Sequence, residues 1–291
     1  MSEQIVEPLG AGLSRVWELS GTILDTHTDY QHVVIAKTAQ GVTLFCDDER
    51  QSTETSQLVY HEALMVPGML LADNVDRVLV IGSSEGVASQ LAVAFGAELV
   101  DHVDIDRETV RACARHLPYG YSDAELARAE RGEGKVRMHY RDGWEFLDTA
   151  RQRYDVVVID LPDENTDPAA QHNRLYGEDF LSRCSDLLSP GGVVVCQAGC
   201  PTLWRNDTLL AAWKRFGEIF GTVVYFGSDE HEWAFLSGRP DRVDAPVDGM
   251  IERLSRSSYR PHSIDAETLR GATVPPYSVR ATASGPPAPG A

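Results

Sequence analysis

The sequence predicts an α/β protein built on a doubly wound parallel sheet, with a small antiparallel β domain in front of it. Three observations carry that prediction. Val156-Val157-Val158-Ile159 sets four β-branched residues in a row without polar alternation, the pattern of a strand covered on both faces. From about residue 62 apolar, strand-like runs alternate with helical stretches, as in a parallel sheet with crossover helices. Before that point short β-rich pieces alternate with turn residues, as in consecutive hairpins.

In chain order, residues 1–61 are expected to form the N-terminal hairpin domain, with strands in Arg15-Val-Trp-Glu-Leu, Tyr30-Gln-His-Val-Val-Ile-Ala and Gly41-Val-Thr-Leu-Phe. Residues 62–240 form a Rossmann-like domain. It opens with the strand Val78-Leu-Val-Ile-Gly and a helix, then a strand within 98–106 and a helix over 107–116. A charged, Ala-rich segment at 122–134 precedes strands at 136–139, 155–160 and 192–197, with helices between them. Residues 241–291 are a C-terminal extension. Its last thirty residues are rich in Pro, Gly and Ala, and the final ten are expected to be disordered.

The chain has 291 residues and 43% hydrophobic content, enough for one large core and a small companion. No apolar run approaches the roughly 20 residues that span a bilayer, and the N-terminus lacks the pattern of a secretory signal. A cytoplasmic location follows as the expectation. Five cysteines without a Cys-x-x-Cys pair read as reduced thiols rather than a metal site. The formal net charge of −18 argues against a nucleic-acid partner, whose phosphates want a basic surface. It suits a cationic ligand steered by the negative field, and equally a surface kept acidic for solubility.

Ligands of such sheets gather at the carboxyl ends of the strands. Asp160 and Asp163 stand at the end of the apolar run, spaced by a proline that stiffens the turn. At the first strand-to-helix junction lies Gly82-Ser83-Ser84-Glu85-Gly86. Small residues there let the backbone turn sharply, but Glu85 would repel a pyrophosphate and suits a ligand with a positive end. The next strand ends in Asp104, placed for ribose hydroxyls, and the third leads to Arg141-Asp142-Gly143, placed for an adenine amino group. Each acid alone reads as an ordinary turn or helix cap. Their order and spacing together point to an adenosyl sulfonium.

These residues resemble the polyamine aminopropyltransferases, spermidine synthase and its relatives, from about residue 28 to residue 240. Thr28-Asp-Tyr-Gln31 resembles the family's Ser-x-Tyr-Gln. The stretch from Gln51 to Tyr60-His61-Glu62 resembles its Gln-x-Thr-Glu-x-Asp-Glu-x-x-Tyr-His-Glu signature with unbroken spacing. Asp160-Leu-Pro-Asp163 stands for Asp-x-x-Asp, followed by Leu175-Tyr176 and Phe180, and Gln197-Ala-Gly resembles the strand that carries a polyamine-contacting Gln. Bacterial spermidine-synthase-like and thermospermine-synthase-like branches look most similar.

The resemblance implies a sheet of the class I methyltransferase type and transfer of an aminopropyl group from decarboxylated S-adenosylmethionine to a polyamine or diamine. Methylthioadenosine leaves. The donor is a co-substrate, and neither a resident cofactor nor a metal is implied. The resemblance makes Asp160 the base and has Tyr60 orient the attacking nitrogen. Asp163, Gln197 and Trp233 hold the acceptor. Gln31, Gln51, Gly82, Glu85, Asp104, Asp142 and Gly143 hold the donor, with Glu85 on its amine. His61 is read as structural. A homodimer or homotetramer is also implied.

Three departures bear on the acceptor. Ser56-Gln57 replaces Asp-Glu, Ser83-Ser84 replaces a glycine pair, and Gly227-Ser-Asp-Glu-His-Glu-Trp233 replaces a tyrosine-bearing segment. The acids at 229, 230 and 232 read as a solvated hairpin tip, with a cation-binding role as the alternative. Two further readings remain: a methyltransferase acting on an amine, and a non-catalytic nucleoside- or polyamine-binding relative. Methyl transfer has no need of Asp-x-x-Asp, so retention of both acids favours aminopropyl transfer.

Overall fold

A computed structural model describes residues 3–10, 12–164, 171–227 and 232–282. The expectations placed on Asp229, Glu230 and the chain's last nine residues lie outside that set.

The first strands, β1 (Glu3–Gly10) and β2 (Leu13–Leu19), form an antiparallel hairpin. Four more, β3 (Gly21–His27), β4 (His32–Thr38), β5 (Gly41–Cys46) and β6 (Glu49–Thr53), form an antiparallel sheet in chain order. Its side chains alternate between two cores. Val34, Ala36 and Phe45 pack against Ile5, Trp17 and Leu19 of the hairpin. Val33, Ile35 and Leu44 pack against Cys113 and Leu117, from the end of a helix of the larger domain. Period-2 alternation thus seats the small sheet directly on the large domain.

Helix α1 (Gln57–Leu71) follows and carries Tyr60, His61 and Glu62. The expected domain boundary after residue 61 falls inside this helix, which leaves the small sheet and runs onto the large one. Residues 61–71 are all buried, so the helix is apolar without a polar stripe.

The large sheet has seven strands: β7 (Arg77–Gly82), β8 (Leu99–Asp104), β9 (Val136–Tyr140), β10 (Tyr154–Asp160), β11 (Leu188–Gln197), β12 (Thr222–Gly227) and β13 (Ala234–Arg239). Their order is β12-β13-β11-β10-β7-β8-β9. The five strands from β11 to β9 are parallel, as expected, and the β12–β13 hairpin adds an antiparallel edge. Every residue of β10 is buried. Val156 and Val158 face the layer of α1 and α2 (Val87–Phe95), while Val157 and Ile159 face that of α5 (Gly143–Thr149), α6 (Glu178–Asp186) and α7 (Asp207–Ile219), and α3 (Arg107–His116) and α4 (Asp123–Glu130) pack with Met138 of β9. The unbroken β-branched run is the consequence of helices on both faces. The charged 122–134 segment is α4, opened by a capping box between Ser122 and Glu125.

The C-terminal extension continues as α8 (Pro246–Arg256), α9 (Ala266–Ala272) and α10 (Tyr277–Thr282). Met250, Ile264 and Leu269 join the core beside α1. The carboxylate of fully buried Glu62 holds the intervening loop, accepting from Tyr259 Oη at 2.6 Å, the His262 and Ser263 amides at 2.8 Å each and Ser263 Oγ at 2.6 Å. None of the described helices is long and apolar enough to cross a membrane.

Candidate active site

The order reverses between β7 and its neighbours β8 and β10, and there a cavity of about 390 Å³ opens beyond the strand ends. Its lining includes Gln31, Gln51, Tyr60, Gly82, Glu85, Asp104, Asp142, Gly143, Asp160 and Asp163. Ten positions singled out in sequence therefore meet at one place. Gln197 and Trp233 lie outside it, on an adjoining cavity of about 30 Å³ that shares Tyr60, Gln51 and Asp163 with the first.

The turn after β7 is tight. Gly82 has φ +84°, and a Cβ there would stand 2.1 Å from the Asp160 carbonyl oxygen, so no other residue fits. This close approach welds the β7 turn to the end of β10, and the Ser83 amide donates to the same carbonyl at 2.9 Å. The turn delivers Glu85 into the cavity, 7% exposed and with no hydrogen bond to its carboxylate among the described residues. A carboxylate so placed is stabilised by a cation in the cavity.

Asp104 is buried at the end of β8, accepting from Ser84 Oγ at 2.7 Å and from the Asp106 amide at 2.8 Å. Burial pushes its pKa up to about 6 despite these bonds. Gln31 lines the cavity with its amide nitrogen bound to Asp106 at 3.0 Å and Thr109 at 3.2 Å, which ties the small sheet to the start of α3. Asp142 caps α5, accepting from the Trp144 amide at 2.9 Å, and pairs with Arg174. The helix-cap reading of this acid is thus fulfilled together with its place on the cavity wall. Gln51 donates to the Glu49 carbonyl at 3.3 Å.

Asp160 ends β10 beneath α1. Tyr60 Oη donates to its Oδ1 at 2.7 Å. His61 Nδ1 donates to the Gln57 carbonyl at 2.7 Å, leaving Nε2 3.8 Å from Asp160 Oδ2. Burial raises the pKa of Asp160; His61 opposes that shift, Glu85 adds to it and the Tyr60 bond opposes it. Burial also drives the Tyr60 phenol well above its usual range, so it remains a donor. The loop beyond β10 is pinned by Tyr176 Oη, which donates to the carbonyls of Leu161 and Pro162 at 3.0 and 2.8 Å.

Asp163 is engaged on both oxygens. Gln197 Nε2 donates to Oδ1 and Arg205 Nη2 to Oδ2 at 3.3 Å. Trp233 stacks edge-on to Tyr60 with centroids 5.6 Å apart, and the Arg50 guanidinium lies 4.5 Å over its ring. Glu232, expected at a solvated tip, is instead paired with Arg15 and, at 2.8 Å, with Arg50. Arg50, Arg205 and Glu49 had no signal in sequence: each depends on which distant loops meet.

The acid-lined cavity at the switch point of the sheet stands where α/β domains of this class bind their ligands. Residues 57–226 match the Spermine/spermidine synthase domain, and the chain belongs to that family. It is 26% identical to polyamine aminopropyltransferase 1 of Pseudomonas aeruginosa over 94% of this chain and 96% of that one. It is 30% identical to the polyamine aminopropyltransferase of Thermococcus kodakarensis, over 81% and 82% of the two chains. A crystal structure of spermidine synthase in complex with the transition state analogue AdoDATO superposes with a TM-score of 0.81, at 19% identity and coverage of 96% and 94%. That likeness is one of fold.

Proposed function

We propose that this enzyme moves the aminopropyl group of decarboxylated S-adenosylmethionine to a polyamine or diamine and releases methylthioadenosine. One observation carries the reading: the buried carboxylates of Glu85, Asp104 and Asp160 converge on a single cavity, an arrangement that favours a cationic ligand. The family membership and the aminopropyltransferase relatives support the same chemistry.

In this reading the donor lies along the ends of β7, β8 and β9, with its ribose at Asp104, its base beside Asp142 and Gly143, and its ammonium on Glu85. Gln31 and Gln51 stand on the sulfonium side. The acceptor enters between Tyr60, Asp163, Gln197 and Trp233. An amine attacks only when neutral, so a base must take its proton as the new bond forms. Asp160 is that base. Tyr60 occupies Oδ1, which leaves Oδ2 to receive the proton, and the raised pKa makes this carboxylate a stronger proton acceptor than an exposed one.

The reading includes a cytoplasmic location, supported by five buried, unpaired cysteines. It also includes a homodimer or homotetramer, supported by the exposed pair Val6 and Val16 facing each other across the first hairpin. The test is product analysis by mass after incubation with each donor and a panel of amines. Methylthioadenosine supports the proposal. S-adenosylhomocysteine would replace it with methyl transfer, and absence of both nucleosides with every amine would leave a binding protein.

A further inference from the structure

Two arginines stand at the acceptor end of the site, where a plain diamine would bring only positive charge. Arg50 and Arg205 both line the smaller cavity, beside Glu7, Glu49 and Asp163. Most of the acids there are already satisfied. Asp163 is held by Gln197 and Arg205. Glu7 accepts from Trp17 Nε1 at 2.7 Å and from Arg15 at 3.4 Å. Glu232, just behind, is bridged by Arg15 and Arg50. A second ammonium arriving at Asp163 would therefore have to displace one guanidinium while lying beside another.

Two groups of opposite sign remain. Arg205 makes one side-chain hydrogen bond among the described residues, so most of its fork of N–H donors is uncommitted. Glu49 lines both cavities, and its carboxylate accepts no hydrogen bond from any described residue. Burial and the nearby Asp163 push its pKa up to about 7 against the opposing pull of the Arg205 charge, so an acid and a guanidinium stand near each other at this end of the site. The buried Gln197 has Oε1 without a partner, because its Nε2 is spent on Asp163.

Resting on the aminopropyl-transfer reading and narrowing its acceptor, we propose that the diamine used is an α,ω-diamino acid, whose carboxylate is bound by Arg205 and whose α-ammonium is bound by Glu49. Arg205 is then the specificity-determining residue. The ω-amine, held by Gln197 Oε1, attacks. Its lone pair forms the N–C bond to the aminopropyl carbon, the C–S bond breaks onto sulfur, neutral methylthioadenosine leaves, and the nitrogen's proton passes to Asp160.

Matched pairs that differ only by the carboxylate give the test: ornithine against 1,4-diaminobutane, and lysine against 1,5-diaminopentane, each with decarboxylated S-adenosylmethionine. A charged group denied its partner in such a site costs about tenfold or more, so kcat/KM should favour the diamino acid of at least one pair by that factor. Arg205→Gln should erase the preference and Arg205→Glu should turn it toward the diamine, with the donor KM unchanged. Arg205 follows the exposed Leu203 and Trp204 in the loop before α7, and circular dichroism checks that each variant is folded. The comparison in the native enzyme needs no variant at all. Equal or better turnover of both diamines, or a preference that survives both substitutions, would overturn the proposal. Methylthioadenosine from diamines alone would sink it while leaving aminopropyl transfer intact. If no amine gives methylthioadenosine, aminopropyl transfer fails, and calorimetric titration of each pair in the presence of methylthioadenosine decides the carboxylate preference by itself.

Discussion

Replacing Glu85 by Gln should weaken donor binding and move the pH profile of turnover at once. Glu85 is 7% exposed and its carboxylate accepts no hydrogen bond from the described residues, so its charge acts on the ligand almost undivided. Two unit charges about 4 Å apart interact by roughly 4 kcal/mol at an effective dielectric of 20. Glutamine keeps a carbonyl acceptor, which recovers about 1 kcal/mol. The net loss of about 3 kcal/mol corresponds to roughly 150-fold weaker binding of decarboxylated S-adenosylmethionine. S-adenosylmethionine, whose carboxylate Glu85 repels, should lose far less, so selection between the donors narrows. The second effect comes through Asp160. Glu85 contributes to the raised pKa of that acid, so removing its charge lowers the pKa and the acid limb of kcat shifts to lower pH. Calorimetry with both donors and a pH-rate profile measure the two effects separately. Unchanged donor affinity together with an unmoved limb would refute the placement of Glu85 against the donor's ammonium.

Asp160→Asn should leave donor affinity nearly intact while kcat falls by about 10²–10⁴, the range for a lost general base; near-native turnover in a folded variant would remove Asp160 from the mechanism. Glu62→Ala strands the 259–263 loop donors and should destabilise the protein by about 3–5 kcal/mol, read as a lower melting temperature and faster proteolysis of the C-terminal helices. A melting temperature within a degree of native would show that the extension holds without Glu62. For Asp104 the folded pKa of about 6 lies above the unfolded carboxylate value, so the folded state binds the proton more tightly. Its contribution to stability is present at low pH and is lost as pH rises from about 4 through 6. Asp104→Asn should therefore gain on the native protein, in denaturant unfolding without ligand, by about 2–3 kcal/mol across that window; parallel stability curves for the two proteins would refute the raised pKa.

Much of this molecule was legible in one dimension because its signals are local. A β-branched run with no alternation has to be covered on both faces, and β10 is. Acids at strand ends have to stand at the edge of a parallel sheet, and Glu85, Asp104, Asp142 and Asp160 all line its cavity. The β12–β13 edge was less plain, since the sequence between its strands marked a turn without showing how the strands pair.

What the sequence by itself determined, then, was the alternation of strands and helices, the turn at Gly82 and the acids that follow each strand. Only the tertiary structure decided which charges and buried polar groups meet. Asp163 pairs with Arg205 across 42 residues, Glu232 with Arg50 across 182, and Glu62 with Ser263 across 201. Hydrophobic periodicity is written in neighbours three or four residues apart, or two along a strand, and survives without knowledge of the rest of the chain. A Coulomb interaction depends on distance in space and on burial, and both exist only once the small sheet, the loop after β11 and the C-terminal helices have packed around α1.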